Sequence, residues 1–434
     1  MLKEIKKIIS VEDLGTTRKE AILSNGTKLV VFERSGMPVY MRAVFLGGSR
    51  FDPIEKDGTA HFLEHMVTAG TQKFPTKDKI AAYIERYGGS LSASTGPETL
   101  NINSAIGDPD DLEIGFTVLH EMLLAPLFDP KVIETERDSI LKELGDKKSN
   151  PGEMIWEVYR RLFFQETALG RSTLGSEQSI KAITRDDLVK FYKDIFISGR
   201  MAIIVSGGAK IDEVKQLAEK HLLVPQGRGL IDTKLLSVNR KVKISIEPYL
   251  GRDQIHLVLG FRAAPIFHPD DAALKVIAEV LGGGRASVLN KKLRLEKGLV
   301  YSVNAWSVKF TDAGAWLVKT STSKDKLQEV VEIIEDEIKR VVDAGLTPEE
   351  VNFAQDKIVK SKRMQLQSSE QWVNWHTAIE LNQKQLYTLT DYIRSIMQVT
   401  PEMTKTVAQT YFGSDKWYLG MCGDISSKDA IVNF

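Results

Sequence analysis

The sequence predicts an α+β or α/β protein in which helices cover sheets, built as two similar halves. Three observations carry that prediction. Short runs rich in β-branched residues alternate with longer stretches of helical periodicity. Two helices open on the same Pro-marked start at an offset of 218 residues, at Pro130 and Pro348. A segment with a Pro, two Gly and little periodicity, residues 222–241, cuts the chain almost in half.

Taken in order, Lys28–Arg34 (KLVVFER) and Tyr40–Leu46 (YMRAVFL) read as strands. Gly58–Gly70 has the length of a short helix, with Gly70 as its stop. Helical spacing continues at Lys77–Tyr87, Asp111–Leu124 and Pro130–Leu144. The last of these is capped by Asp129, with Pro at the first helical position. Arg185–Asp194 reads as a helix and Met201–Ser206 as a strand. Beyond the break come a strand at Gln254–Phe261 and helices at Asp270–Leu281, Lys324–Ala344 and from Pro348 onward.

Thr347-Pro348-Glu349-Glu350 repeats the cap at Asp129-Pro130. The match runs on, with Asp138, Ile140, Leu141 and Lys142 falling on Asp356, Ile358, Val359 and Lys360. At an offset of 214, His61–Val67 falls on Lys275–Leu281, and Gly70 on Gly284. This conserved element order reads as a duplicated fold. It divides the chain into an N-terminal domain at 1–221, a linker at 222–241 and a C-terminal domain at 242–434. The alternative is two unrelated domains that share helix caps.

Composition narrows the function classes. Lys and Arg number 58 and Asp and Glu 58, so bulk charge holds the chain to neither nucleic acid nor a membrane surface. No apolar run reaches the length of a membrane span. The single cysteine, Cys422, allows no intrachain disulfide and reads as a small buried hydrophobe. The opening MLKEIKKIISVEDLG has no apolar core or cleavage site and is not Arg/Ser-rich, so a cytoplasmic location is expected.

The chemistry concentrates in GTAHFLEHMVTAG, residues 58–70. On a helix, His61, Glu64 and His65 share one face, so the two imidazoles can hold one metal ion with a carboxylate beside them. Such a metal acidifies water, and a carboxylate that is not a ligand takes the proton. The His-x-x-Glu-His order is the inverzincin pattern. The flanking Phe62, Leu63, Met66 and Val67 bury this helix, and buried His and Glu are costly without a metal or partners. Two His leave zinc short of a third protein ligand. Glu136 and Glu143 lie seven apart on one helix face, and either could supply it.

His61-Phe62-Leu63-Glu64-His65-Met66, then Gly70-Thr71, then Glu136-Arg137 and Glu143 together resemble the pitrilysin-type zinc peptidases. Within that family the residues resemble the small bacterial and mitochondrial-processing-peptidase-like branch. The resemblance implies that His61, His65 and Glu143 bind Zn2+, that Glu64 is the general base, and that Glu136 orients a histidine ligand. Glu143 stands 78 residues after His65, in the family's range. Arg294 through Tyr301 (RLEKGLVY) is similar to the family segment whose Arg grips substrate and whose Tyr donates to the carbonyl oxygen. Gly89, Ser92, Ala93 and Thr95 resemble the family's substrate-pairing edge strand. Ser92 stands where the family has Asn, and Asn101 lies near the place of a Tyr, which puts side-chain contacts there in doubt.

The resemblance further implies an α+β (α/β sandwich-like) fold of two homologous domains. Each would be a mostly antiparallel sheet backed by helices, and two chains would pair into a clamshell. Lys275, Ala278 and Glu279 replace the zinc motif in the second half, so only the first half would bind metal. The expected function is a zinc-dependent metalloendopeptidase acting on extended peptides or unfolded segments. The expected partners are peptide substrates and a second copy of the chain, with no nucleic acid and no membrane insertion. The alternative is a catalytically silent scaffold or subunit of a larger complex. Gly282-Gly283-Gly284 lacks the Lys-Ser/Thr of a phosphate loop and reads as a turn. His120, His221, His256, His268 and His376 have no partners at ligand spacing and read as structural. Trp372 and Trp375 read as core or as a dimer contact.

Overall fold

The computed structural model describes residues 14–229 and 243–426, apart from 166 and 383–386. Strands β1 (Thr17–Ile22), β2 (Lys28–Glu33) and β3 (Val39–Leu46) precede helices α1 (Thr59–Ala69) and α2 (Lys77–Glu85). The hairpin of β4 (Ser90–Thr95) and β5 (Thr99–Ile106) leads into α3 (Leu112–Leu124), α4 (Pro130–Ser149) and α5 (Pro151–Phe164). Then come α6 (Glu177–Ala182), α7 (Arg185–Ile195), β6 (Met201–Gly207) and α8 (Ile211–His221). The second half runs β7 (Ile244–Pro248), β8 (Gln254–Ala263), α9 (Asp271–Gly282), a π-helical stretch at Asn290–Glu296, β9 (Val303–Lys309) and β10 (Gly314–Ser323). It ends with α10 (Leu327–Ala344), α11 (Pro348–Gln365), α12 (Ser369–Asn382), α13 (Leu389–Met397), α14 (Pro401–Tyr411) and β11 (Trp417–Gly423).

The expected caps form. The Asp129 carboxylate accepts from the Lys131 amide at 2.8 Å. Thr347 and Glu350 exchange side-chain-to-amide bonds at 3.2 and 2.9 Å, a complete capping box. Most of the linker assigned to 222–241 lies outside the described residues.

The duplication is visible in the sheets. One has the order β1-β2-β6-β3-β5-β4 and the other β7-β11-β8-β10-β9. Leaving out β1, the second repeats the first position by position. In both, a single parallel pair (β2 with β6, β7 with β11) joins otherwise antiparallel neighbours. The fold is therefore α+β, two mixed and mostly antiparallel sheets backed by helices.

The chain forms two compact units, and neither is a continuous stretch. The first gathers the described residues of Met1–Leu144, Ser172–Asp232 and Arg363–Thr390; the second gathers the rest. The segment 222–241 separates the two sheets in sequence, but helices cross it in both directions. In the second unit α5 of the first half lies on β11 and β8. Its stripe of Ile155, Val158, Tyr159, Leu162 and Phe163 buries against Val258, Leu317 and Tyr418. In the first unit α12 of the second half lies on β6 and β3. There Trp372 and His376 come within 5.6 and 4.2 Å of the Phe32 ring, centroid to centroid. Trp372 is thus a core residue. The described strands before 222–241 form one sheet and those after it the other, whereas apolar helix faces follow the sheet they fit on either side of that segment.

Candidate metal centre

Helix α1 is anchored at its first turn and on both flanks. The Asp52 carboxylate accepts from the amides of Gly58 and Ala60 at 2.7 and 2.8 Å, satisfying donors at the helix start. Gly58 has φ +94°, and a Cβ there would come within 2.8 Å of the Leu174 carbonyl oxygen. Glycine is the residue this entry turn admits. Phe62, Leu63, Met66 and Val67 are buried in the core of the first unit, so the helix is fixed by packing on their face. The Arg137 guanidinium lies 5.2 Å from the Phe62 ring, joining α4 to α1.

On the other face the expected residues meet. His61 and His65 stand one turn apart, their rings 4.7 Å centroid to centroid and nearly perpendicular. Glu143 Oε2 of α4 lies 3.7 Å from His61 Nε2 and 3.9 Å from His65 Nε2. One donor atom from each of the three residues falls within 4.8 Å of the others. Ligand atoms 2.0–2.2 Å from a tetrahedral zinc lie roughly 3.3–3.6 Å apart. The separations found are slightly wider, and the donor set of two imidazoles and a carboxylate is the right chemistry. The residues fit zinc.

Glu136, the other carboxylate left open by spacing, lies on the far side of the His65 ring from Glu143. Its Oε2 is 2.7 Å from His65 Nδ1. A ring N–H donating there leaves the Nε2 lone pair facing Glu143. The same hydrogen bond from His65 holds the Glu136 carboxyl below its ordinary value.

Glu64 lies beside the donors and is partly buried. Burial raises its carboxyl above the ordinary range. Hydrogen bonding to Thr95 and the charge of His65 oppose that rise, and Glu143 adds to it. Thr95 ends β4, which is the edge of its sheet and packs against α1. Ser90, Ser92 and Ser94 of β4 are exposed, while Leu91, Ala93 and Thr95 are half-buried. Gly89 precedes the strand. Asn103 donates to Ser92 Oγ at 3.1 Å and Asn101 to Ser94 Oγ at 3.2 Å, so each residue that departs from the family pattern is bonded across the β4–β5 hairpin.

Arg294 and Tyr301 are brought together in the second unit, the Arg294 guanidinium 5.1 Å from the Tyr301 ring. Tyr301 is 77% exposed, far more than a core tyrosine. Sequence reasoning missed Asp52 and the Thr95–Glu64 contact. An Asp six residues before a helix-opening glycine was the available signal for the first. The second depends on strand β4 lying against α1, which no local pattern announces. His376 is core, and Cys422 is buried with its thiol pushed up to about 12, chiefly by burial.

Known proteins resemble the chain in sequence and in fold. Residues 33–177 match the family model of insulinase (peptidase family M16), and residues 182–358 match that of the peptidase M16 inactive domain. The chain belongs to peptidase family M16. An uncharacterised zinc protease of Streptomyces coelicolor is 27% identical over 429 residues, 96% of this chain and 92% of that protein. The uncharacterised zinc protease YmxG of Bacillus subtilis is 25% identical, covering 92% of this chain and 96% of YmxG. The mitochondrial-processing peptidase subunit beta of Mus musculus is 28% identical, over 80% of this chain and 72% of that subunit. A crystal structure of a protease from Helicobacter pylori has the same fold, with TM-score 0.86 at 19% identity, covering 94% of this chain and 99% of that one.

Proposed function

We propose that the chain is a zinc-dependent metalloendopeptidase that cleaves extended peptides or unfolded protein segments. The observation that carries this is the convergence of His61, His65 and Glu143 with Glu64 beside them and Glu136 behind His65. The naming of relatives as zinc proteases supports it.

Zinc held by His61, His65 and Glu143 would supply a Lewis acid that lowers the pKa of water and polarises a carbonyl. Glu64 takes the proton of the attacking water and later delivers it to the leaving amine. A carboxyl raised by burial suits a group that accepts, holds and returns a proton. Glu136 keeps the His65 ring in the tautomer and orientation that ligation needs. Substrate adds as a strand to the open edge of β4, along Gly89, Ser92, Ala93 and Thr95, with backbone pairing carrying affinity. Tyr301 donates to the substrate carbonyl oxygen and Arg294 grips substrate backbone or carboxylate. The working form is a homodimer. Among the described residues the second half offers no such group of His and carboxylate donors, in keeping with its match to an inactive-domain model.

The test is cleavage of a mixture of unstructured peptides, mapped by mass spectrometry, with a chelator and with zinc restored. The expected result is cleavage that the chelator stops and zinc restores. Zinc-loaded protein that leaves every peptide intact would instead support a scaffold role.

A further inference from the structure

The three elements that build the metal centre have counterparts in the second unit. Helix α9 stands for α1, β9 for β4, and α11 for α4. At an offset of 214, Lys275 replaces His61 and Lys309 replaces Thr95. Helix α11 adds Lys357 and Lys362. Lys309 pairs with Asp271, and Lys357 pairs with Glu279 at 2.5 Å. The ammonium groups of Lys275 and Lys362 lie 4.7 and 5.4 Å from the centroid of one buried ring, Tyr392. Lys275 makes no hydrogen bond or ion pair among the described residues. The ammonium groups of Lys275, Lys309, Lys357 and Lys362 thus gather between α9, β9 and α11, with Asp271 engaged by Lys309 and Glu279 by Lys357.

Gathering cations out of water opposes their charge. Burial pulls Lys275 and Lys309 below the ordinary lysine range. Burial, with the repulsion of Lys275 and Lys309, brings Lys362 to about 8. An anion seated among them would reverse that penalty through charge-assisted hydrogen bonds. A duplicated metal scaffold has here exchanged donors for cations, and the ligand it fits has the opposite charge.

We propose that the cluster of Lys275, Lys309 and Lys362 beside Tyr392 is an oxyanion-binding site, taking a carboxylate or phosphate group. The site stands independently of the metal centre, so it is tested on metal-free and zinc-loaded protein alike. Inorganic phosphate is titrated calorimetrically into the full chain, and melting temperature is followed with and without phosphate. The expected result is saturable binding that Lys275→Met and Lys362→Met each weaken at least about tenfold. Lys190→Met, at an exposed position of α7, leaves binding unchanged. In phosphate-free buffer Lys275→Met melts no lower than wild type, because it removes repulsion. Phosphate raises the melting temperature of wild type but not of Lys275→Met. Competition by a peptide with a free C-terminus and not by its amide would identify a peptide carboxylate as the ligand. Competition by neither would identify a free oxyanion. Absence of saturable binding, or equal affinity in wild type and both cluster variants, would overturn the proposal.

Discussion

Helices α1 and α9 occupy equivalent places on equivalent sheets, yet one presents His61, Glu64 and His65 and the other Lys275, Ala278 and Glu279. The apolar faces of both remain. Phe62, Leu63, Met66 and Val67 are buried on α1, as are Val276, Ile277, Val280 and Leu281 on α9. Close packing constrains the inward face, because changes of a single methylene there are felt as stability. The opposite face is free to change charge. Duplication has therefore kept two scaffolds alike while their chemistry diverged, and function is read from the few residues that differ.

The largest expected effect breaks the first site at its third ligand. Glu143→Gln should weaken zinc binding, measured by competition with a chromogenic chelator, by more than any change outside the donor set. Glu136→Gln should follow, with a loss of roughly 10–100-fold in zinc affinity or activity from a residue that reaches the site through His65 Nδ1. Equal zinc affinity in Glu136→Gln and wild type would show that the His65 ring needs no orientation.

The exchanged helices sharpen the comparison on the side of stability. Phe163 on α5 is fully buried in the second unit. Phe163→Ala should cost about 3–5 kcal/mol in chemical denaturation. A change below about 1 kcal/mol would mean that α5 is not integral to that core.

A pH-dependent effect concerns Glu380 on α12, whose side chain is 2% exposed. It accepts from Arg18 at 2.9 and 3.1 Å and from Lys28 at 2.6 Å. Burial opposes its charge, but the bonds from His376, Arg18 and Lys28 outweigh burial and bring it to about 2. Because the folded value lies below the ordinary 4.5, the stabilisation is present above pH 4.5 and lost as pH falls toward 2. It amounts to about 3 kcal/mol at most. Denaturation of wild type and Glu380→Gln between pH 7 and 3 should converge at the acid end; parallel curves would contradict this.

Much of the site was legible because its residues follow helix spacing. His61, Glu64 and His65 lie on one turn, and Glu136 and Glu143 on two turns of one helix, so one periodicity aligns each set. Which glutamate lies near both Nε2 atoms was not legible from spacing alone; it depends on how α4 lies against α1. The strand β5 was not read because Asn103 and Ser104 interrupt its apolar pattern while being buried. The crossing of α5 and α12 was invisible for a different reason. An apolar stripe states that a helix is covered, not which sheet covers it.

In the proposed function the first site binds zinc and uses Glu64 to move a proton during peptide hydrolysis. The most direct measurement is zinc content and peptide cleavage on the same preparations of wild type and Glu64→Gln. One zinc per chain in both, with cleavage in wild type alone, is the predicted result. Undiminished cleavage by Glu64→Gln, or an inert wild type carrying its zinc, would contradict it.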